Sequence, residues 1–453
     1  MKRYDVVVIG AGDVGLGVAF KASSEGLKVC LIDKAQVGGT CVNNGCVPSK
    51  TLIHVADRIL EIRDSAKLGI NAEITSLDFK AVMARTRSVV AAGTGGIKQA
   101  IESTENIDFY PGAASFIDNR TISVDREKIR GRKIFIASGS RPSIPPIPGL
   151  DTVPYLTNET VLQLEDKPAS MIMIGGGYIG LEYAHFFSAF GTKVTVIARS
   201  TRLLPFEEPE ISELLKNEMM KRTDLRMETG VLEVKRSADG CTVLVKDAAG
   251  KETELSAEKL MVATGRKSNA DILNVANAGI ETGPGNFITV NDHLETNRKN
   301  IWAIGDANGR SMFTHAGDKM AEIAWYNAAH RKKMRMDYRS VPHAVFVQPQ
   351  IASVGLTEEK ARKEYDVLVG KAMYSDTVMG EAMREEQGFA KAIVEKNTKR
   401  ILGFHIIGPH ASMLIQEVVN AVAAGADVNS ITGSMHTFPA LSDLIPEALN
   451  NLE

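Results

Sequence analysis

Tyr4-Asp5-Val6-Val7-Val8-Ile9 is a short β-branched run with almost no polar interruption, the pattern of a strand buried on both faces. Glycines at 10, 12 and 15 break it at once, and the positions from Val14 to Ser24 then read as a helix. A second apolar run, Val29 to Ile32, ends at Asp33. The same order returns later. Ser170–Ile174 predicts a strand, glycines 175, 176, 177 and 180 follow, Leu181–Phe190 is apolar at helical spacing, and Lys193–Ile197 predicts another strand. Between the two copies, Leu52, Val55, Ala56, Ile59 and Leu60 recur at helical spacing from Lys50 onward. From about Val341 the period changes. Ala390–Val394 and Ile401–Ile406 alternate as antiparallel strands do, and Leu414, Val418, Val419 and Val422 share one face of a helix over 414–424.

A chain of 453 residues exceeds what one core holds, which stops growing near ~250–300 residues, so about three domains are expected. The fold class is α/β: two Rossmann-like dinucleotide-binding domains and a C-terminal α+β domain with an antiparallel sheet. The Pro-rich stretch Ile144–Gly149, after Ala137-Ser138-Gly139-Ser140-Arg141-Pro142, reads as a linker, and the turn Ala263-Thr264-Gly265-Arg266 closes the second copy. The expected segments are 1–145, 146–267, a return to the first domain over 268–338, and 339–453. With 44% apolar residues, 24% charged and a net charge of −2, nothing favours nucleic acid or an acidic membrane as partner. No apolar run approaches the ~18 residues of a membrane span, and strand-like sequence from Tyr4 leaves no room for a signal peptide, so the cytoplasm is expected.

Strand, GxGxxG, helix, strand and acid form the dinucleotide fingerprint. Gly10, Gly12 and Gly15 let backbone approach a pyrophosphate at a helix N-terminus, and Asp33 is placed to accept hydrogen bonds from a ribose. In the second copy, Gly175, Gly177 and Gly180 repeat the glycines, but Ala198 stands in the acid's place and Arg199-Ser200-Thr201-Arg202 follows. An acid there would repel a 2′-phosphate, whereas arginines accept it, so NADPH is expected over NADH. The plainer alternative is two solvated arginines at a strand end.

The chemistry gathers in Gly38-Gly39-Thr40-Cys41-Val42-Asn43-Asn44-Gly45-Cys46-Val47-Pro48-Ser49-Lys50. Two cysteines stand five apart, with Gly45 to turn the chain. Pro48 is tolerated in a first helical turn. Cys46 therefore falls at a helix N-terminus, where the dipole favours a thiolate. The spacing allows a disulfide without proving one. A zinc site would want a second cluster, and Cys30 and Cys241 are isolated. Inert core cysteines are the other alternative, which the flanking glycines disfavour.

This stretch closely resembles the redox motif of the FAD-dependent pyridine nucleotide–disulfide oxidoreductases, among them lipoamide dehydrogenase, glutathione reductase and mercuric reductase. The resemblance covers essentially the whole chain. It implies FAD in the first dinucleotide site, with Lys34, Gly39, Thr40, Lys50, Ser138, Gly139, Asp306, His315 and Ala316 joining Gly10, Gly12, Gly15 and Asp33 around it. It implies the nicotinamide cofactor in the second, with Tyr178, Ile179, Glu182 and Gly265 joining Gly175, Gly177, Gly180, Arg199, Ser200 and Arg202. Cys46 would face the flavin as a thiolate and Cys41 would exchange with substrate. Lys50 would pair with Glu182, Tyr178 would cover the flavin until nicotinamide displaces it, and His315 would meet the flavin through its backbone. Residues 339–453 would form a homodimer interface.

One departure bears on the acceptor. The family's acid–base His before a proline is Phe438, its partner Glu is Asp443, and His436 lies two residues upstream. Ser268 also replaces the proline usual after the Ala-Thr-Gly-Arg turn. Mercuric reductases share a Phe-Pro here, though the cysteine pair near their C-terminus has no counterpart in Asn450-Asn451-Leu452-Glu453. The expected function is NADPH-dependent reduction of a soft metal ion or small disulfide through FAD and Cys41–Cys46, with no resident metal. Alternatives are a dihydrolipoamide dehydrogenase, an enzyme like 2-ketopropyl-coenzyme M carboxylase, and a non-catalytic redox-sensing subunit.

Overall fold

The computed structural model describes residues 1–453. Strand β1 (Lys2–Ile9), helix α1 (Asp13–Ser24) and strand β2 (Val29–Asp33) form the first repeat. The central strand β1 pairs in parallel with β2 and with Glu127–Ile136, while Ile107–Pro111 and Ile301–Ala303 extend the parallel part of the sheet at either side. Val6, Val7 and Val8 are wholly buried, as an uninterrupted β-branched run requires. Because Ile301–Ala303 joins this sheet, the chain returns to its first unit after completing the second.

The second repeat is β3 (Ser170–Ile174), α4 (Tyr178–Ala189) and β4 (Lys193–Ile197), following α2 (Gly39–Asn44) and α3 (Cys46–Asp64) in the chain. Its five strands are all parallel, and an antiparallel three-stranded sheet over 230–257 packs beside them. Helix α4 begins three residues before the apolar period does, because Tyr178 and Ile179 occupy its first turn.

The C-terminal unit is a five-stranded antiparallel sheet, from β5 (His343–Val345) at one edge to Val367–Met373 at the other, with helix α6 (Ala411–Ala424) packed on it. Helix α5 (Thr314–Ala329) packs on α1. One apolar cluster unites the three units where the site lies, joining Leu52 and Ile59 of α3, Phe186 of α4 and Val345 of β5. No helix is long and apolar enough to cross a membrane.

Candidate redox site

Two glycine turns define two cradles of the same geometry. A Cβ on Gly10 would stand 2.2 Å from Ala137 O, and one on Gly175 would stand 2.2 Å from Ala263 O. Gly15 and Gly180 likewise admit no side chain, since a Cβ would lie 2.0 Å from Gly10 O and 2.1 Å from Gly175 O. Each turn thus ends its strand with backbone alone facing outward, as a pyrophosphate needs.

Asp33 closes the first cradle. Its carboxylate accepts the N–H groups of Ala11 (2.6 Å) and Ala35 (2.8 Å), while burial pushes its pKa up. Ser138 Oγ is buried without a partner, so the cradle has a polar atom for a ligand to satisfy. Asp306 accepts Ser140 Oγ at 2.5 Å, and Arg266 in turn donates to Ser140 Oγ (2.6 Å) and O (2.8 Å). Gly139, at φ 66°, is open on the same side. These residues fit FAD.

The cysteine loop lies directly against this cradle. Gly39, at φ 57°, is held so close that a Cβ would be 2.7 Å from Gly12 Cα. Gly38 N–H donates to Ala11 O at 2.8 Å. Buried Asn43 pins the loop from inside, donating to Val37 O (3.0 Å) and Gly39 O (2.9 Å) and accepting Thr94 Oγ1 (2.8 Å). A short helix, α2, occupies the residues between Gly38 and Gly45, which the sequence pattern shows only as a turn. Gly45 separates α2 from α3, and Cys46 is the first residue of α3.

Cys41 and Cys46 stand side by side without a bond between them. Cys46 is pulled down to about 5, chiefly by the hydrogen bond with Cys41 and further by Thr314 and Lys50. Cys41 moves the opposite way, raised by that same bond and by burial. Thr314 Oγ1, at the start of α5, lies 3.5 Å from Cys46 Sγ. The sequence marks the helix start at Thr314 but not this contact.

Helices α3 and α4 are linked by polar contacts along their length. Lys50 Nζ lies 2.9 and 3.0 Å from the Glu182 oxygens, Asp57 Oδ1 lies 2.9 Å from His185 Nε2, and Arg63 donates to Ala189 O at 2.8 Å. Burial pushes the Glu182 carboxyl up and Lys50 opposes it. Phe346 adds a backbone N–H to Glu182 (3.1 Å) and its ring lies 4.5 Å from Lys50 Nζ. Phe346, His185 and Asp57 carry no signal in a local motif, because each meets its partner only after separate units pack.

Tyr178 opens α4 within a ring cage of Phe206 (centroids 4.8 Å apart), Phe313 (5.8 Å) and His343 (6.1 Å). Ile179 is half-buried beside it, and Gly177 is open, with nothing within 4 Å of an added Cβ. Ala198 is buried, Arg199 is exposed, and Ser200 Oγ donates to Arg202 O at 2.7 Å. Gly265 is exposed at φ 105°, with its carbonyl accepting Ser143 N–H at 2.9 Å. Lys34 and Thr40 are exposed at the rim of the first cradle.

Several of these residues have partners within the chain. The ring of His315 has its own engagement, with Nε2 2.8 Å from Pro342 O and its face stacked on Phe313 at 5.6 Å. Ala316 beside it is buried. Ser268 is buried and donates to Ala307 O at 3.1 Å, so the hydroxyl has a definite task where proline is usual. Asp443 orients no histidine: its carboxylate accepts Ala440 N–H at 3.2 Å as a local cap. His436 pairs instead with Glu417 of α6, at 2.8 Å. Phe438 is 73% exposed on the single chain.

Residues 4–321 match the family described as pyridine nucleotide-disulphide oxidoreductase, and residues 341–449 match that family's dimerisation domain. The chain is 32% identical to mercuric reductase of Staphylococcus aureus over 97% of its own length and 81% of that protein's. It is 33% identical to dihydrolipoyl dehydrogenase of Synechocystis over 98% of both. Among solved structures, the HOCl-induced flavoprotein disulfide reductase RclA from Escherichia coli, as its Cu(II) complex, superposes with a TM-score of 0.89 at 30% identity, covering 99% of each chain. The chain belongs to the pyridine nucleotide-disulphide oxidoreductases, a family of FAD-dependent enzymes.

Proposed function

We propose that this enzyme uses NADPH to reduce a soft metal ion or a small disulfide, in the manner of a mercuric reductase, and works as a homodimer. When bound, FAD supplies two-electron chemistry, accepting hydride from the nicotinamide and reducing Cys41–Cys46. Gly10, Gly12, Gly15, Asp33, Ser138, Gly139 and Asp306 would hold it, and Lys50, paired with Glu182, would keep positive charge beside its ring. Cys46 would hold the flavin-facing thiolate and Cys41 would meet the acceptor. Arg199 and Arg202 would take the 2′-phosphate, since Ala198 offers no carboxylate to a ribose. The low cysteine count supports a reducing, cytoplasmic setting.

The observation that carries the choice of acceptor is the exposed apolar ring of Phe438. Reduction of a disulfide consumes two protons, whereas reduction of a divalent mercury ion to the metal consumes none. A phenyl group cannot transfer a proton, and Asp443 and His436 are each engaged elsewhere. The metal-reducing option is also supported by the S. aureus relative and by the Cu(II) complex of RclA. Dihydrolipoamide dehydrogenase is the second reading, favoured by the full-length likeness to the Synechocystis enzyme. Anaerobic turnover with NADPH against Hg(II), Cu(II), lipoamide and glutathione disulfide separates them. Fast lipoamide turnover with poor metal reduction would replace the first reading by the second.

A further inference from the structure

The loop that follows β4 buries two adjacent carboxylates, Glu207 at 2% and Glu208 at 1% exposure. Both are satisfied largely by the C-terminal unit. Glu207 Oε1 lies 2.6 Å from His343 Nε2, and its Oε2 accepts Ser353 Oγ at 2.7 Å. Glu208 accepts Glu358 N–H at 2.6 Å and Lys391 Nζ at 2.8 Å. The buried Lys391 also meets Glu210 at 2.8 Å and Glu358 at 2.7 Å. Buried ion pairs are poor glue, since well-packed apolar residues of similar volume often hold as firmly or better. What such pairs provide is a defined position, because a carboxylate without its partners would be stranded.

The position they define is that of two rings. Phe206 precedes Glu207 in the loop and lies 4.8 Å from Tyr178, while the imidazole of His343, on the other side of the pair, lies 6.1 Å from Tyr178. Phe206 and His343 also touch each other, edge to face at 5.9 Å, and His343 stacks on Phe313 at 5.9 Å. Two walls of the Tyr178 cage therefore come from different units and are locked together by one imidazole–carboxylate contact.

We propose that Glu207 and His343 are positioning residues for Tyr178, setting the seat from which its ring must move when the nicotinamide enters. This rests on reading Tyr178 as the ring that nicotinamide displaces. Loss of the pair would loosen the seat and alter cofactor binding, with no direct effect on the cysteines.

The test uses the FAD-loaded dimer and a non-reducible NADPH analogue, whose affinity is measured by calorimetry, together with amide hydrogen exchange over the first turn of α4. His343→Ala, Glu207→Gln and Tyr178→Ala are compared singly, and the first two again in the Tyr178→Ala background. Expected are a change in analogue affinity of about three- to tenfold for His343→Ala, the size of a lost ring–ring contact, a smaller change for Glu207→Gln, and faster exchange at Tyr178 in both. In the Tyr178→Ala background neither substitution should have any further effect. If Tyr178→Ala changes affinity but the other two do not, or if they act equally in both backgrounds, the positioning role is overturned. If Tyr178→Ala itself changes nothing, the displaced-ring reading fails first. Glu207→Gln decides the matter should His343→Ala not fold.

Discussion

Lys50 and Glu182, 132 positions apart, meet with Nζ 2.9 Å from one carboxylate oxygen and 3.0 Å from the other. This contact ties the helix that begins with Cys46 to the helix that begins with Tyr178. The thiol that would face the flavin and the ring that would meet the nicotinamide therefore sit on two helices clamped near their first turns. Electron transfer needs such fixed spacing between donor and acceptor, and the polar contacts further along α3 and α4 maintain it.

Removing one member should expose what the clamp supplies. Lys50→Met leaves the buried Glu182 carboxylate with only the Phe346 N–H, a loss of about 1–3 kcal/mol. Because Lys50 is what opposes the rise of the Glu182 pKa, the variant's carboxyl should rise further. The deficit is then fullest above the folded carboxyl's raised pKa and shrinks as pH falls below the unfolded value of ~4.3, where the carboxyl is protonated in both folded and unfolded chains. Urea unfolding of wild type and variant across this range measures it. An equal deficit at all pH values would contradict the role given to the pair.

Arg199→Ala should raise KM for NADPH about tenfold or more, since a charge-assisted contact to phosphate contributes ~1.5–3 kcal/mol. KM for NADH should hardly move. Initial rates with both cofactors check this, and unchanged NADPH kinetics, or a wild type that prefers NADH, would count against the phosphate assignment.

Much of this site is readable in the sequence, for a physical reason. Glycines that must let backbone approach backbone, as Gly10 and Gly175 do, tolerate no other residue, so the cradle leaves a local signature. The same holds for Cys46, whose helix start is written in the residues around it. Glu207, His343, Phe346 and Glu417 leave none. Each acts through a partner 19 to 164 positions away, and a Glu or His reads the same in a linear pattern whether it is solvated or buried in a pair. Asp443 shows the same limit, since an acid at the family's spacing also caps its own turn here.

Phe438 should keep exchange with lipoamide or glutathione disulfide slow while leaving flavin reduction by NADPH untouched. A general base contributes about 10²–10⁴-fold, so Phe438→His should speed the exchange step by some part of that factor. Stopped-flow measurement of the two half-reactions separates them. In the proposed homodimer Phe438 would serve the cysteine pair of the partner subunit, so the gain should vanish in any monomeric variant. Fast exchange in the wild type would mean that another group, His436 with Glu417 foremost, supplies the proton.

The most direct measurement is anaerobic reduction of the FAD-loaded protein by one equivalent of NADPH, read as long-wavelength absorbance against pH. In the reduced pair Cys46 holds the thiolate, so a thiolate-to-flavin band should form on reduction of the wild type, be present already in oxidised Cys41→Ser, which has no disulfide to open, and be absent in Cys46→Ser. Falling pH should bleach it with a midpoint of about 5, where Cys46 takes up its proton. A free thiol titrates near ~8.5, so this ionisation also stabilises the reduced fold above that pH and is lost as pH falls through the lower value. Before any NADPH is added, Cys41→Ala, which removes the donor that chiefly lowers Cys46, should show the band with its midpoint moved upward. A band that survives in Cys46→Ser, or one that never forms in the wild type, would contradict the assignment of Cys46 as the flavin-facing thiolate.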